Sequence, residues 1–185
     1  MTPPENQDSM AFRHDALLAV FLIGFDVAAR TLLHVPNVSP VAASALFAGM
    51  MLRRRGLALV VPPAAMLIGD AIGGFYDWRV MAVVYAALTL PAVAGILARR
   101  HHAPRVVVPV MLAGSLVFFA ATNFAVWAFS GMYSADMAGL MQCYAAGLPF
   151  LKYTIAGDLF WVAVLFGGAF LVQRLTAQRS ALARS

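Results

Sequence analysis

Three carboxylates, one guanidinium and one amide stand inside the apolar runs of this sequence: Asp26, Asp70, Asp158, Arg30 and Asn123. In "YTIAGDLFWVAVLFGG" (153–168) the carboxylate of Asp158 is followed only by residues that suit a lipid interior. A charge placed there costs several kcal/mol unless it faces the inside of a helix bundle or a water-filled cavity. Three kinds of chemistry could use it. It can bind a ligand or ion, or it can tie helices together by hydrogen bonds. Alternatively, two carboxylates within roughly 5 Å can share a proton and work as an acid–base pair. Helical spacing puts Thr154, Asp158 and Trp161 on one face, and Asn123, Trp127 and Ser130 on another. Asp26 and Arg30 are four residues apart, close enough to pair with each other.

Composition dictates the setting. The chain has 185 residues, 62% hydrophobic and only 11% charged, whereas soluble domains carry about a quarter charged residues. A net charge of +5 could suit nucleic acid, but the basic residues fall between apolar spans rather than in polar stripes. The lipid bilayer is therefore the expected partner, and nucleic acid is not. Six spans of roughly 20 residues are expected for an all-α integral membrane protein: Ala16–Leu33, Pro40–Leu52, Leu57–Gly74, Val80–Ala98, Val106–Phe129 and Leu151–Leu175. The second is short and can begin inside the membrane.

Orientation follows from the arginines. With Arg53, Arg54 and Arg55 in the cytoplasm, Arg13, Arg99, Arg100, Arg105, Arg174, Arg179 and Arg184 join them, leaving Arg30, Arg79 and Lys152 outside. The positive-inside rule then puts both termini in the cytoplasm. Residues 1–14 and 176–185 read as cytoplasmic tails flanking a six-helix domain over 15–175. A signal peptide ending near Ala29 is the rival reading of "ALLAVFLIGFDVAAR". The leading segment is as acidic as it is basic, which argues against it. No internal repeat points to an inverted-repeat transporter. Ser39 can cap a helix whose first position is Pro40. Pro62, Pro63 and Pro91 fall within spans, where they kink helices. Ala65, Gly69 and Gly73 form a small-residue stripe for helix contact, and Ala45 with Gly49 a shorter one.

In this topology Asp26, Arg30, Asp70, Asn123 and Asp158 all lie toward the outer face. Asp158 sits about 10 Å below the outer end of its span at 1.5 Å per residue. Every Tyr and Trp lies on that side too, among them Tyr76, Trp78, Tyr85, Trp127, Tyr144, Tyr153 and Trp161. A plain interfacial belt would populate both faces. The one-sided pattern suggests an aromatic cup with convergent polar groups. Residues 130–150 are too long for a simple turn. Met137, Leu140, Met141, Tyr144 and Leu148 recur at helical spacing, so a short amphipathic helix is expected there. Ser134 would cap it and "GLP" at 147–149 would stop it, leaving a lid over the cavity.

Catalytic and metal signatures are absent: no GxSxG, HExxH, CxxC or P-loop. No enzyme activity, metal or cofactor is expected. His101 and His102 belong to a basic loop, and His34 is a lone histidine at a span end. Cys143 reads as a small buried residue or a soft ligand.

Three blocks, "RTLLHVPNVSPVAASALFAG", "PPAAMLIGDAIGGFY" and "TNFAVWAFSGMYSADMAGLMQCYAAGLPFLKYTIAGDLFW", resemble the signature of an uncharacterised bacterial membrane family assigned to transport. That family is similar in span number and layout to the S components of energy-coupling factor transporters. Those proteins capture vitamins or metal ions in an outward-facing cavity closed by loops. The resemblance extends over about 30–175 and carries to Asn37, Ser39, Asp70, Asn123, Trp127, Cys143, Tyr144, Pro149, Gly157 and Asp158. Tyr153 and Tyr76 depart from it. So does span one, where an AxxxA stripe is replaced by Gly24 and Ala28. It implies a substrate-capturing transport protein of the bacterial inner membrane, with a small-molecule substrate and energising transporter subunits as partners. The substrate site would comprise Asp70, Asn123, Trp127, Tyr144, Asp158, Trp161 and Asn37. The alternative is a structural or assembly protein whose polar cluster only stabilises the bundle.

Overall fold

The computed structural model describes residues 4–33 and 37–182; His34 lies outside them. Six helices follow one another: α1 (Pro4–Leu32), α2 (Val41–Met51), α3 (Arg55–Gly73), α4 (Trp78–Ala98), α5 (Pro104–Phe129) and α6 (Met137–Leu182). Among the described residues every regular element is helical. Four of them, α3 to α6, are long and apolar enough to cross a membrane, and α2 is a shorter apolar helix.

Local chemistry ends most of these helices where the sequence indicates. Gly74, at φ 108°, stops α3 while its N–H donates to the Asp70 carbonyl at 2.8 Å. Asp77 caps α4 by accepting from the Arg79 N–H at 2.8 Å. Pro104 opens α5, where its fixed φ suits the first turn and its missing N–H goes unneeded. Pro62, Pro63 and Pro91 do sit inside α3 and α4. Ser39 accepts from the Val41 N–H at 3.4 Å, so α2 begins one residue later than expected.

α1 and α6 are longer than the sequence suggests. α1 reaches back to Pro4, through residues read as a tail. Its buried Asp15 accepts from the Arg54 N–H at 2.8 Å, and Phe12 lies 4.7 Å under the Arg54 guanidinium. That start of α1 thereby braces the turn between α2 and α3. At the other end, the separate lid helix over 137–148 does not exist. Those residues are the first three turns or so of one continuous α6. Pro149 lies within it, and packing against α5 overrides the break. The Tyr144 hydroxyl donates to the Ala120 carbonyl at 2.6 Å and the Cys143 thiol to the Asn123 carbonyl at 3.3 Å. A Cβ on Gly147 would overlap the Asn123 side chain, so this glycine lets the two helices close. The cap of α6 is Asp136 rather than Ser134. Its carboxylate accepts from the Gly139 N–H at 2.7 Å and from the Ser134 hydroxyl at 2.8 Å.

The organising element is α2. Its residues 41–50 are all buried, so it has no polar face to show, and the other helices surround it. Gly49 and Gly95 make its crossing with α4 possible. A Cβ on either would run into the other helix's backbone. The carbonyls of Gly49 and Leu52 accept from Arg99, which closes the C-terminal end of α2. Of the stripe Ala65–Gly69–Gly73, the first two are buried and only Gly73 is exposed. Gly69 makes room for the Arg30 side chain, and a Cβ on Gly73 would meet nothing within 4 Å.

Two outcomes follow from this packing. Gly95→Val forces the α2–α4 crossing apart and is expected to destabilise by about 1–3 kcal/mol, while Gly73→Ala is near neutral. Thermal unfolding in matched detergent or nanodiscs checks both. Acid is expected to loosen the α4 cap as well. Arg79 holds the Asp77 carboxyl at about 2, below its ordinary 3.8, chiefly through its side-chain hydrogen bond. A depressed value means stabilisation that is present above the ordinary carboxylate range and is lost as pH falls toward about 2. Asp77→Asn should flatten that part of a melting-temperature profile between pH 5 and pH 2.

Candidate functional site

Buried carboxylates need donors, and each of the three in the bundle finds different ones. Arg30 reaches from α1 to α3. Its Nη2 donates to Asp70 Oδ1 at 2.7 Å, its Nη1 contacts Met66 Sδ, and its shaft passes over Gly69. The Tyr85 hydroxyl of α4 donates to the other Asp70 oxygen at 2.7 Å. One ion pair and one phenol thus link α1, α3 and α4. Asp26 does not pair with Arg30 as its spacing allows; it accepts from the Ser44 hydroxyl at 2.6 Å on α2. Local spacing offers Arg30 only Asp26, yet it is Asp70, forty residues away, that receives its direct hydrogen bond. Asp158 accepts from the Ser115 hydroxyl at 2.6 Å, joining α6 to α5. Asp70 and Asp158 have separate donors, and among the described residues no hydrogen bond joins them. Two buried polar atoms have no partner among the described residues: Asp26 Oδ2 and Trp161 Nε1.

A cavity of about 380 Å³ lies among all six helices, within the size range of small-molecule sites. Asn37, Val38, Ser39 and the first turn of α2 border it. Ala29 and Arg30 of α1, Met66 of α3, and Val84, Ala87, Leu88 and Pro91 of α4 form part of its wall. α5 adds Gly114, Ser115 and Phe118, and α6 adds Thr154 and Asp158. Asn37 and Tyr76 are exposed, whereas Ser115 and Asp158 are buried. The cavity therefore runs from the surface near the 74–77 turn inward to the Asp158–Ser115 pair. A second cavity of about 160 Å³ adjoins it, sharing Asn37, Phe118 and Thr154 and lined also by Asn123 and Gly147.

The residues expected to form the site divide accordingly. Asp158 and Asn37 line the larger cavity, and Asn123 and Asn37 the smaller. Asp70 is one contact away, holding Arg30, which does line it. Trp127, Tyr144 and Trp161 line neither. The Trp127 indole donates to the Ser134 carbonyl at 2.9 Å and pins the turn before α6. Tyr144 anchors on α5, and Trp161 packs edge-on against Phe25 at 5.3 Å. Of the expected aromatic cup only Tyr76 borders the cavity, joined by Phe118. Ser115 escaped notice because a hydroxyl inside "MLAGSLVFFA" looks like an ordinary helix residue. The usable signal was its distance of eight residues from Asn123, which places both within one broad stripe of the helix.

The Arg30–Asp70 link is testable by stability. Arg30→Ala leaves the buried Asp70 with Tyr85 alone, and breaking such a pair costs about 3–5 kcal/mol. Adding Asp70→Asn to Arg30→Ala should recover part of that loss. A double-mutant cycle by thermal unfolding measures the coupling, and simple additivity would show that the two residues do not act together.

No curated protein and no solved structure matches the chain. One family model matches residues 10–180, nearly the full length, and its description is a family of unknown function, DUF6580. The match takes in all the cavity-lining residues from Ala29 to Asp158. The chain belongs to that family.

Proposed function

We propose that this protein captures a small molecule from one side of a bacterial inner membrane for transport, in the manner of an energy-coupling factor S component. In this reading the chain passes the bilayer six times with both termini in the cytoplasm, and α2 together with 37–40 makes the second passage. The cavity opens outward past Asn37 and Tyr76. Energy comes from partner subunits or a gradient. The outer surface of the bundle supports the membrane setting: Leu17, Val20, Phe21 and Leu97 are each at least 60% exposed, a composition suited to acyl chains.

The observation that carries the proposal is the cavity itself, with apolar walls and a carboxylate at its buried end. That make-up is usual for small-molecule sites. Polar groups that served only to lock helices would be expected to close on one another. The Arg30–Asp70–Tyr85 chain does so, and it favours a structural role for that part of the cluster.

Gly114 offers the test. A Cβ there would lie 3.5 Å from Pro91 Cγ, an ordinary contact, so Gly114→Ala keeps the fold while Gly114→Leu extends into the cavity. Native mass spectrometry of gently purified protein is expected to find a stoichiometric small molecule in wild type, retained by Gly114→Ala and lost from Gly114→Leu. Wild type that stays empty, with Gly114→Leu melting at the wild-type temperature, would instead favour the assembly reading.

A further inference from the structure

We propose that the larger cavity takes an organic monocation, a protonated amine or similar nitrogen cation on an apolar body, with Asp158 as its counter-ion. The inference rests on the capture reading above and names the substrate class for that same cavity.

Charge balance drives the argument. Among the residues that line the cavity, only Arg30 and Asp158 carry formal charge. Arg30 is already matched, since it lies 2.7 Å from Asp70 Oδ1 and its other amino nitrogen is turned to Met66. Asp158 has only the neutral Ser115 hydroxyl, and among the described residues no cation stands within ion-pair distance of it. Asp158 is 5% exposed, so water compensates little of the charge. An uncompensated buried carboxylate is strongly unfavourable, and a cation in the cavity supplies what is missing.

The remaining positive feature nearby is the N-terminus of α2, whose first turn borders the cavity. A helix N-terminus carries about half a unit of positive charge. Asp26, bonded to Ser44 in that same turn, lies against it. Asp158 therefore stays in excess.

The rest of the lining selects an organic cation over a metal ion. Among the described residues there is no group of three His, Cys, Asp or Glu side chains able to hold a metal. Hard cations such as calcium take six to eight oxygen ligands, and this end of the cavity offers one carboxylate beside Ser115. Val84, Leu88, Pro91 and Phe118 give the walls an apolar character suited to a hydrocarbon or ring, while Asn37 and Thr154 offer hydrogen bonds nearer the mouth.

Three probes that share a phenylethyl body and differ in charge test this: phenethylammonium, phenethyl alcohol and 3-phenylpropionate. Binding is measured by calorimetry on the full chain in nanodiscs. Phenethylammonium should bind about tenfold or more tighter than the alcohol, the range of a charge-assisted hydrogen bond. The propionate should bind weakest. Asp158→Asn should erase the preference and Asp158→Glu should keep it. A wild-type preference for the alcohol or the propionate overturns the charge assignment, as does ammonium binding that Asp158→Asn leaves unchanged. If binding still disappears in Gly114→Leu, the capture reading survives that result. Failure of all three probes to bind wild type, or equal binding to Gly114→Leu, overturns the cavity reading and the charge assignment together. The wild-type ranking decides the sign alone, even if Asp158→Asn does not fold.

Discussion

The shortness of α2 is the constraint on which the rest of this structure depends. Eleven residues at 1.5 Å each make a rod of about 16 Å, roughly half the thickness of a bilayer core. The five longer helices can enclose that rod over only part of their length. Along the remainder the non-helical segment 37–39 and the cavity it borders take the place of that rod. Gly157 lets that segment lie against α6, since a Cβ there would approach Val38 Cα to 3.0 Å. The cavity is the volume that α2 does not fill. Its position above the first turn of α2 follows from the tight Gly49–Gly95 crossing, which fixes the α2–α4 pair at the other end.

Backbone polarity explains why the C-terminal cap of α2 comes from far away in sequence. The ends of α2 lie inside the protein, where unmade hydrogen bonds are costly. Ser39 serves its first N–H, and Arg99 reaches over from the end of α4 to its last carbonyls. Arg99 therefore stabilises the fold besides contributing charge to a loop. The same logic places Asp15 on the Arg54 N–H, so an acidic residue near the start of α1 becomes part of the seal around α3.

Much of this arrangement was legible in the sequence, though unevenly. Helices α2 to α5 begin and end within about two residues of the boundaries that hydrophobicity and breakers suggest, because each junction carries its own local signal. α6 was not legible in the same way. Gly147 and Pro149 form a strong local stop, but the glycine serves a close approach to Asn123, and contacts with α5 hold the helix straight on through the proline. Trp127 and Tyr144 misled for a related reason. Their positions at one end of the bundle are real, yet each uses its polar atom on a backbone carbonyl, which spacing cannot reveal. Choice of partner was equally hidden: Asp26 and Arg30 sit one turn apart, and only the three-dimensional approach of Ser44 and Asp70 separates them.

Two of the buried polar clusters thus differ in their consequences. Arg30, Asp70 and Tyr85 satisfy one another across three helices, so replacing any of them disturbs the bundle whether or not a ligand exists. Asp158 is bonded on one side and borders the cavity on the other. Asp26 also keeps one oxygen without a partner among the described residues, but it does not line the cavity. The first set is closed within the protein, whereas the Asp158 carboxylate faces a cavity of about 380 Å³.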